Sequence, residues 1–141
     1  MSLLNEQIRK DVQKALSSVE NPVVFKVFTQ EAECDYCADT RELVEEVAGL
    51  SDKLTVETHD LVKDAAIAES LGIDKAPAIA VIGKKDYGIR MFGIPSGYEF
   101  GSLIESIKLV SEGESGLSPA TKQQVAKLTK PVTIQVFITP T

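Results

Sequence analysis

Thiols are almost missing from this sequence: only Cys34 and Cys37 carry one in 141 residues. Such scarcity excludes a disulfide framework, so the fold must rest on a hydrophobic core, and a hydrophobic content of 43% is enough to build one compact domain with a short extension. Histidine is scarcer still. His59 stands alone, and one imidazole with two thiols falls short of the tetrahedral donor set of a structural zinc ion, so no metal is expected. A lone histidine at a strand end reads as a surface or hydrogen-bonded residue, and His59 is assigned no role. Basic runs are also lacking. With a net charge of −6, neither a nucleic-acid backbone nor an anionic membrane surface is expected as the main partner. No apolar run reaches membrane length, and "MSLLNEQIRKDVQKAL" threads charges through its apolar positions where a secretory leader would carry a basic, then an apolar, then a small-residue region. The expected location is therefore cytoplasmic, where ordinary thiols are kept reduced.

What the sequence does contain is a CxxC pair in "ECDYCADTRELVEEVAGL", residues 33–50. Such a pair can be a metal half-site, a structural clip or a reactive dithiol, and in a reducing compartment catalytic or metal-binding use is favoured over structural use. The spacing predicts a helix in which Cys34 occupies the first turn, facing unpaired N–H groups and the positive end of the helix dipole, both of which favour thiolate. Cys37 then lies one turn inward on the same face, close enough for a reversible disulfide. Cys34 is the candidate nucleophile and Cys37 the resolving thiol. Asp35 between them opposes negative charge on Cys34, so the expectation is a moderately lowered thiol pKa and a reducing to intermediate potential. An inert pair on a module that only binds remains the alternative.

Around this motif, apolar spacing predicts an amphipathic helix over about 3–18, then a buried strand in "PVVFKVFT", the cysteine helix, a second strand in "KLTVETHD" and a helix over about 61–71 ended by Gly72. "APAIAVIG" and "YGIRMFGI", joined through "KKD", read as antiparallel neighbours, and a last helix holds Leu103, Ile104, Ile107 and Val110. This order gives an α/β fold with a four-stranded mixed sheet flanked by helices, plus an extra N-terminal helix. "SEGESGLSP" is a linker, and Ser118 with Pro119 makes a cap and first-turn pair for a short helix. "KPVTIQVFITPT" then repeats the design of "NPVVFKVFTQE", a proline followed by a β-branched and aromatic strand.

Pro77 at a strand start cannot donate to a sheet ladder and marks an irregular entry. Together with CxxC after the first strand, this arrangement resembles the thioredoxin fold. The resemblance implies a cis-proline loop beside the dithiol, with Ala76 pairing with substrate backbone and Pro77 shaping the substrate groove, and a glycine-bearing turn at Gly93 and Ile94 completing that groove. A plain turn and helix start at Ser96 and Gly97 is the other reading of "FGIPSGYEF". Across "NPVVFKVF", "CDYC", "DKAPAIAVI", "RMFGIPSGYEF" and "VFITPT" the chain is similar to the two-unit, glutaredoxin-like protein disulfide oxidoreductases of thermophilic archaea and bacteria, in which a second CxxC follows the tail strand. The resemblance implies a thioredoxin-like unit over 1–115 and, over 116–141, a linker helix and the first strand of a truncated second unit. It also implies exchange with protein or peptide disulfides, a thioredoxin-reductase-like electron donor and no organic cofactor. The buried acid that thioredoxins place before their cysteines has no match, since position 28 is Phe, so proton transfer from Cys37 is expected to use another group or water, with Glu57 one candidate. The tail strand lacks a sheet of its own and is expected either to pair across a homodimer, the preferred outcome, or to be disordered beyond about Lys130.

Overall fold

The computed structural model describes residues 2–139. Its centre is a four-stranded sheet whose first strand, β1 (Val23–Thr29), lies between β2 (Leu54–Asp60) and β3 (Ala78–Ile82), with β4 (Arg90–Phe92) outside β3. β1 runs parallel to β2 and antiparallel to β3, and β3 is antiparallel to β4, so the mixed sheet is as expected. β1 is covered on both faces, which explains a near-continuous apolar run in place of alternation. Val23, Phe25 and Val27 pack with Leu43, Val44 and Val47 of α2 (Cys37–Ala48), with Leu103, Ile104 and Ile107 of α4 (Tyr98–Glu112), and with Val12 and Leu16 of α1 (Glu6–Leu16). On the opposite face Phe28, Ala78 and Ala80 pack with Ala68 of α3 (Ala65–Ser70) and with Ile73.

Local chemistry sets the helix ends. Asn5 caps α1 by accepting from the Ile8 N–H at 2.9 Å, so the helix starts later than residue 3. The residues before it are tied down by Glu46 of α2, whose carboxylate accepts from Ser2 Oγ at 2.7 Å, Leu3 N at 2.5 Å, Leu4 N at 3.2 Å and Arg9 Nη1 at 2.9 Å. Burial pushes this carboxyl up, but those four donors outweigh burial and hold it below its usual range. α3 is shorter than the 61–71 span expected, because Asp60 accepts from the Val62 and Lys63 N–H groups at 2.9 Å each and closes a turn that delays the helix to Ala65. It ends before Gly72, whose φ of 67° suits glycine. At the other end of β1, Asn21 and buried Ser111 exchange hydrogen bonds, Asn21 N to Ser111 Oγ at 3.1 Å and Asn21 Nδ2 to Ser111 O at 2.8 Å, which fixes the strand's entry against the end of α4.

α5 (Pro119–Val125) forms as expected behind Ser118, whose Oγ accepts from Thr121 N at 3.2 Å. The tail differs from the sequence reading: residues 131–139 carry no strand and are exposed, with Ile134 at 84% and Phe137 at 89%. A strand is defined by its ladder, and neither face nor edge of this segment meets one here. Pro140 and Thr141 lie outside the described residues. Among the described residues, no helix is long and apolar enough to cross a membrane.

Candidate active site

Strand pairing gathers the predicted site at one end of the sheet. Phe28, next to last in β1, is opposite Ala78 at the start of β3, and Ala78 is opposite Phe92 at the end of β4. The cysteine loop leaving β1, the Ala76–Pro77 bond entering β3 and Gly93 leaving β4 therefore share that end. The Ala76–Pro77 bond is cis, as the resemblance implied, and Pro77 is buried with its carbonyl accepting from Gly93 N at 2.9 Å. Gly93 has a φ of 86°, a conformation that a side chain would resist. Ile94 packs onto the main core from a half-buried position, so of the proposed groove pair it is Gly93 that stands against the proline. Gly97, with φ 60°, starts α4 as the turn reading of "FGIPSGYEF" has it.

Cys34 and Cys37 are joined by a disulfide, with their Cα atoms 5.5 Å apart. The helix does not begin where the spacing placed it. α2 starts at Cys37, and Cys34 sits in the loop ahead of it, half-buried, while Cys37 is 5% exposed. Two local features hold the loop out of the helix. Glu33 takes a positive φ of 54°, and the Gln30 side-chain amide donates to the carbonyls of Ala32 at 2.8 Å and Glu33 at 3.3 Å, fixing these two residues in a non-helical loop. Cys34 thus flanks the helix N-terminus, outside its first turn, and remains the more accessible sulfur. Tyr36, between the cysteines and 57% exposed, and Phe92, with the Lys75 ammonium 4.6 Å from its ring centre, add aromatic surface at this end. The sequence reading passed over both, although a tyrosine inside CxxC and an aromatic beside the groove glycine were visible signals.

A recess beside Cys37 is lined by Thr29, Gln30, Ala38 and Arg41, with no carboxylate among them. Glu57, the expected proton acceptor, is elsewhere: it lies on β2, half exposed, 3.4 Å from Lys26 Nζ and 3.5 Å from His59 Nε2. His59 is better buried than a surface histidine. Its ring stacks on Phe28 at 5.1 Å, with Nδ1 3.8 Å from Asp64. Where a thioredoxin keeps a buried acid, this chain has a stacked Phe28–His59 pair. Among the described residues there is no cluster of acidic, histidine and cysteine side chains able to hold a metal.

The fold and the paired cysteines define a CxxC unit of the thioredoxin superfamily. A protein disulfide oxidoreductase from Aeropyrum pernix superposes on it with a TM-score of 0.80 at 28% identity, covering 88% of this chain and 55% of that one. The NTD_N/C domain of the alkylhydroperoxide reductase AhpF from Enterococcus faecalis has the same fold, with a TM-score of 0.80 at 23% identity over 90% of this chain and 62% of that one. In sequence the chain is 30% identical over 132 residues to an NADH dehydrogenase of Bacillus subtilis, a match that takes in 92% of this chain and 22% of that protein. The chain therefore spans about a fifth of that curated relative and just over half of the Aeropyrum protein. No protein-family model matches it.

Proposed function

We propose that the chain is a dithiol–disulfide oxidoreductase unit that exchanges electrons with protein or peptide disulfides in a reducing, cytoplasmic setting. The observation that supports this best is the asymmetric pair itself: an accessible Cys34 and a buried Cys37 at the sheet end shared with cis-Pro77 and Gly93. In the reducing direction the Cys34 thiolate attacks one sulfur of a substrate disulfide, forming a mixed disulfide and expelling the other substrate sulfur as a thiolate. Cys37 then gives up its proton and attacks Cys34 Sγ. The bond from Cys34 to the substrate breaks, the electron pair leaves on the substrate sulfur, and that sulfur takes up a proton. The substrate has gained two electrons and the pair has become the disulfide seen here. Ala76, at the cis bond, and Gly93 offer main chain to an extended substrate, and Tyr36 and Phe92 offer it apolar cover. A reductant must then restore the dithiol, and the likeness to an NADH dehydrogenase supports an NADH-oxidising partner unit in that role, comparable to a thioredoxin-reductase-like donor.

Insulin reduction driven by dithiothreitol tests this reading. The chain is expected to shorten the delay before insulin precipitates, in proportion to its concentration. Binding of extended peptides with no effect on that delay would instead make it a non-catalytic thioredoxin-like module.

Residues 116–141 are, in the same proposal, a linker helix and a segment that becomes the first strand of a second unit only when it meets a partner strand. Its support is compositional: Val132, Ile134, Val136 and Phe137 are all exposed. Apolar strand-forming residues without a ladder favour pairing with another chain, so this chain is expected to dimerise through its tail. Light scattering should give a dimer for residues 1–141 and a monomer for residues 1–115; two monomers would remove the tail from this account.

A further inference from the structure

One buried group near the cysteines has no part in the exchange described so far. Thr40 is fully buried, and its hydroxyl is one of two buried side-chain polar atoms without a hydrogen-bond partner among the described residues. A buried threonine on a helix ordinarily donates to the carbonyl four residues back. That carbonyl, on Tyr36, takes the Thr40 N–H at 2.9 Å and has a lone pair to spare, yet the hydroxyl does not use it. The buried face of α2 runs Cys37, Thr40, Val44, Val47, so Thr40 follows the resolving cysteine on one stripe, one turn along. Helical Cα–Cβ bonds lean toward the N-terminus, so the Thr40 side chain leans over the turn that carries Cys37.

We infer that Thr40 is a positioning residue whose hydroxyl donates to Cys37 Sγ when the pair is reduced. The inference rests on the reading that Cys34 and Cys37 cycle between disulfide and dithiol. In the oxidised form the hydroxyl makes no hydrogen bond among the described residues, to sulfur or to oxygen, and is free to turn toward a stronger acceptor. During reduction an external thiolate attacks Cys34 Sγ, the bond between the cysteines breaks, and its electron pair remains on Cys37 Sγ. That sulfur leaves as a thiolate, a strong acceptor, on a cysteine that is only 5% exposed. The hydroxyl therefore stabilises the reduced form more than the oxidised one. Arg41, which lines the recess beside Cys37, is the rival source of such stabilisation. The exposed carboxylates of Asp35 and Asp39 act in the opposite sense.

The test is the equilibrium of the full chain with reduced and oxidised glutathione, read by mass after acid trapping, for the wild type and for Thr40→Val, Thr40→Ser and Arg41→Gln. Thr40→Val keeps the shape and removes the donor. It is expected to lower the equilibrium constant for reduction about tenfold, which corresponds to about 30 mV for a two-electron couple. Thr40→Ser, which restores the donor, should stay within about twofold of the wild type. An unchanged constant in Thr40→Val overturns the inference, as does an equal shift in Thr40→Ser, which would mark a packing effect. A shift in Arg41→Gln with none in Thr40→Val assigns the role to Arg41 and overturns it too. Because the glutathione equilibrium is read whether or not protein disulfides are turned over, failure of the insulin assay leaves this result standing separately.

Discussion

Cys34→Ser is expected to bring insulin reduction down to the rate without protein, whereas Cys37→Ser should stop after one step and accumulate a covalent adduct between Cys34 and the substrate. The difference follows from where the sulfurs sit. Cys37 is 5% exposed at the first position of α2, which leaves little of it for a protein disulfide to meet. Cys34, half-buried in that loop, is within a partner's reach. On the proposed reading attack begins on Cys34, and once the mixed disulfide exists Cys37, already bonded to Cys34 in this structure, is close enough to resolve it quickly. Mass analysis under non-reducing conditions reads the adduct directly. Iodoacetamide gives the matching result on the reduced wild type, with Cys34 labelled first. An adduct on Cys34→Ser but not on Cys37→Ser, or preferential alkylation of Cys37, would exchange the two roles.

The elements legible in the sequence were those whose pattern depends only on burial. Val23–Thr29 and Ala78–Ile82 are short, largely apolar runs rich in β-branched residues, and both were readable as strands because a single polar side chain, Lys26, interrupts the buried part of either. Ser118 and Pro119 announced α5 because capping is a local event. The start of α2 was misplaced because it is settled by a side chain outside the periodic pattern: Gln30 holds the carbonyls of Ala32 and Glu33 and keeps Cys34 in a loop. α3 lost its first turn to the carboxylate of Asp60 in the same way. His59 looked peripheral because its burial comes from the parallel register that sets it opposite Phe28, a relation between strands that one strand cannot reveal. Glu57 was assigned to Cys37 on type alone, and the register instead places it opposite Lys26. The tail has a strand-like composition, but residues 131–139 carry no strand, because composition does not supply the neighbouring strand that a ladder needs. Thr40 was missed for a different reason, since an interior threonine on an amphipathic helix gives no signal until its hydroxyl is found without a partner.

Arg90→Ala should loosen the edge of the sheet that carries Gly93. Arg90 opens β4, is 15% exposed, and donates from Nη1 and Nη2 to the two carboxylate oxygens of Asp86 at 2.9 and 2.5 Å, and from Nε to the Leu71 carbonyl at 2.9 Å. This clamp ties the short β4 both to the loop before it and to the end of α3. Hydrogen bonds to charged groups are worth more than neutral ones, and the partial exposure of Asp86 screens its share, so the loss on removing Arg90 should be about 2 kcal/mol, with Asp86→Asn costing about half that. The hydrogen bond from Arg90 holds the Asp86 carboxyl below its ordinary value of 3.8, against the opposing effect of burial. A depressed folded-state value means that ionised Asp86 stabilises the fold at pH above 3.8 and that this contribution is lost as pH falls through the depressed value. Urea unfolding should accordingly show a gap between wild type and Asp86→Asn at neutral pH that closes in acid. Because β4 leads through Phe92 into Gly93, whose N–H donates to the Pro77 carbonyl, loosening its first residue should also slow insulin turnover at temperatures where Arg90→Ala is still folded. Equal stability of Arg90→Ala and wild type, or a gap for Asp86→Asn that widens toward low pH, would remove the clamp from the forces that hold this edge of the site.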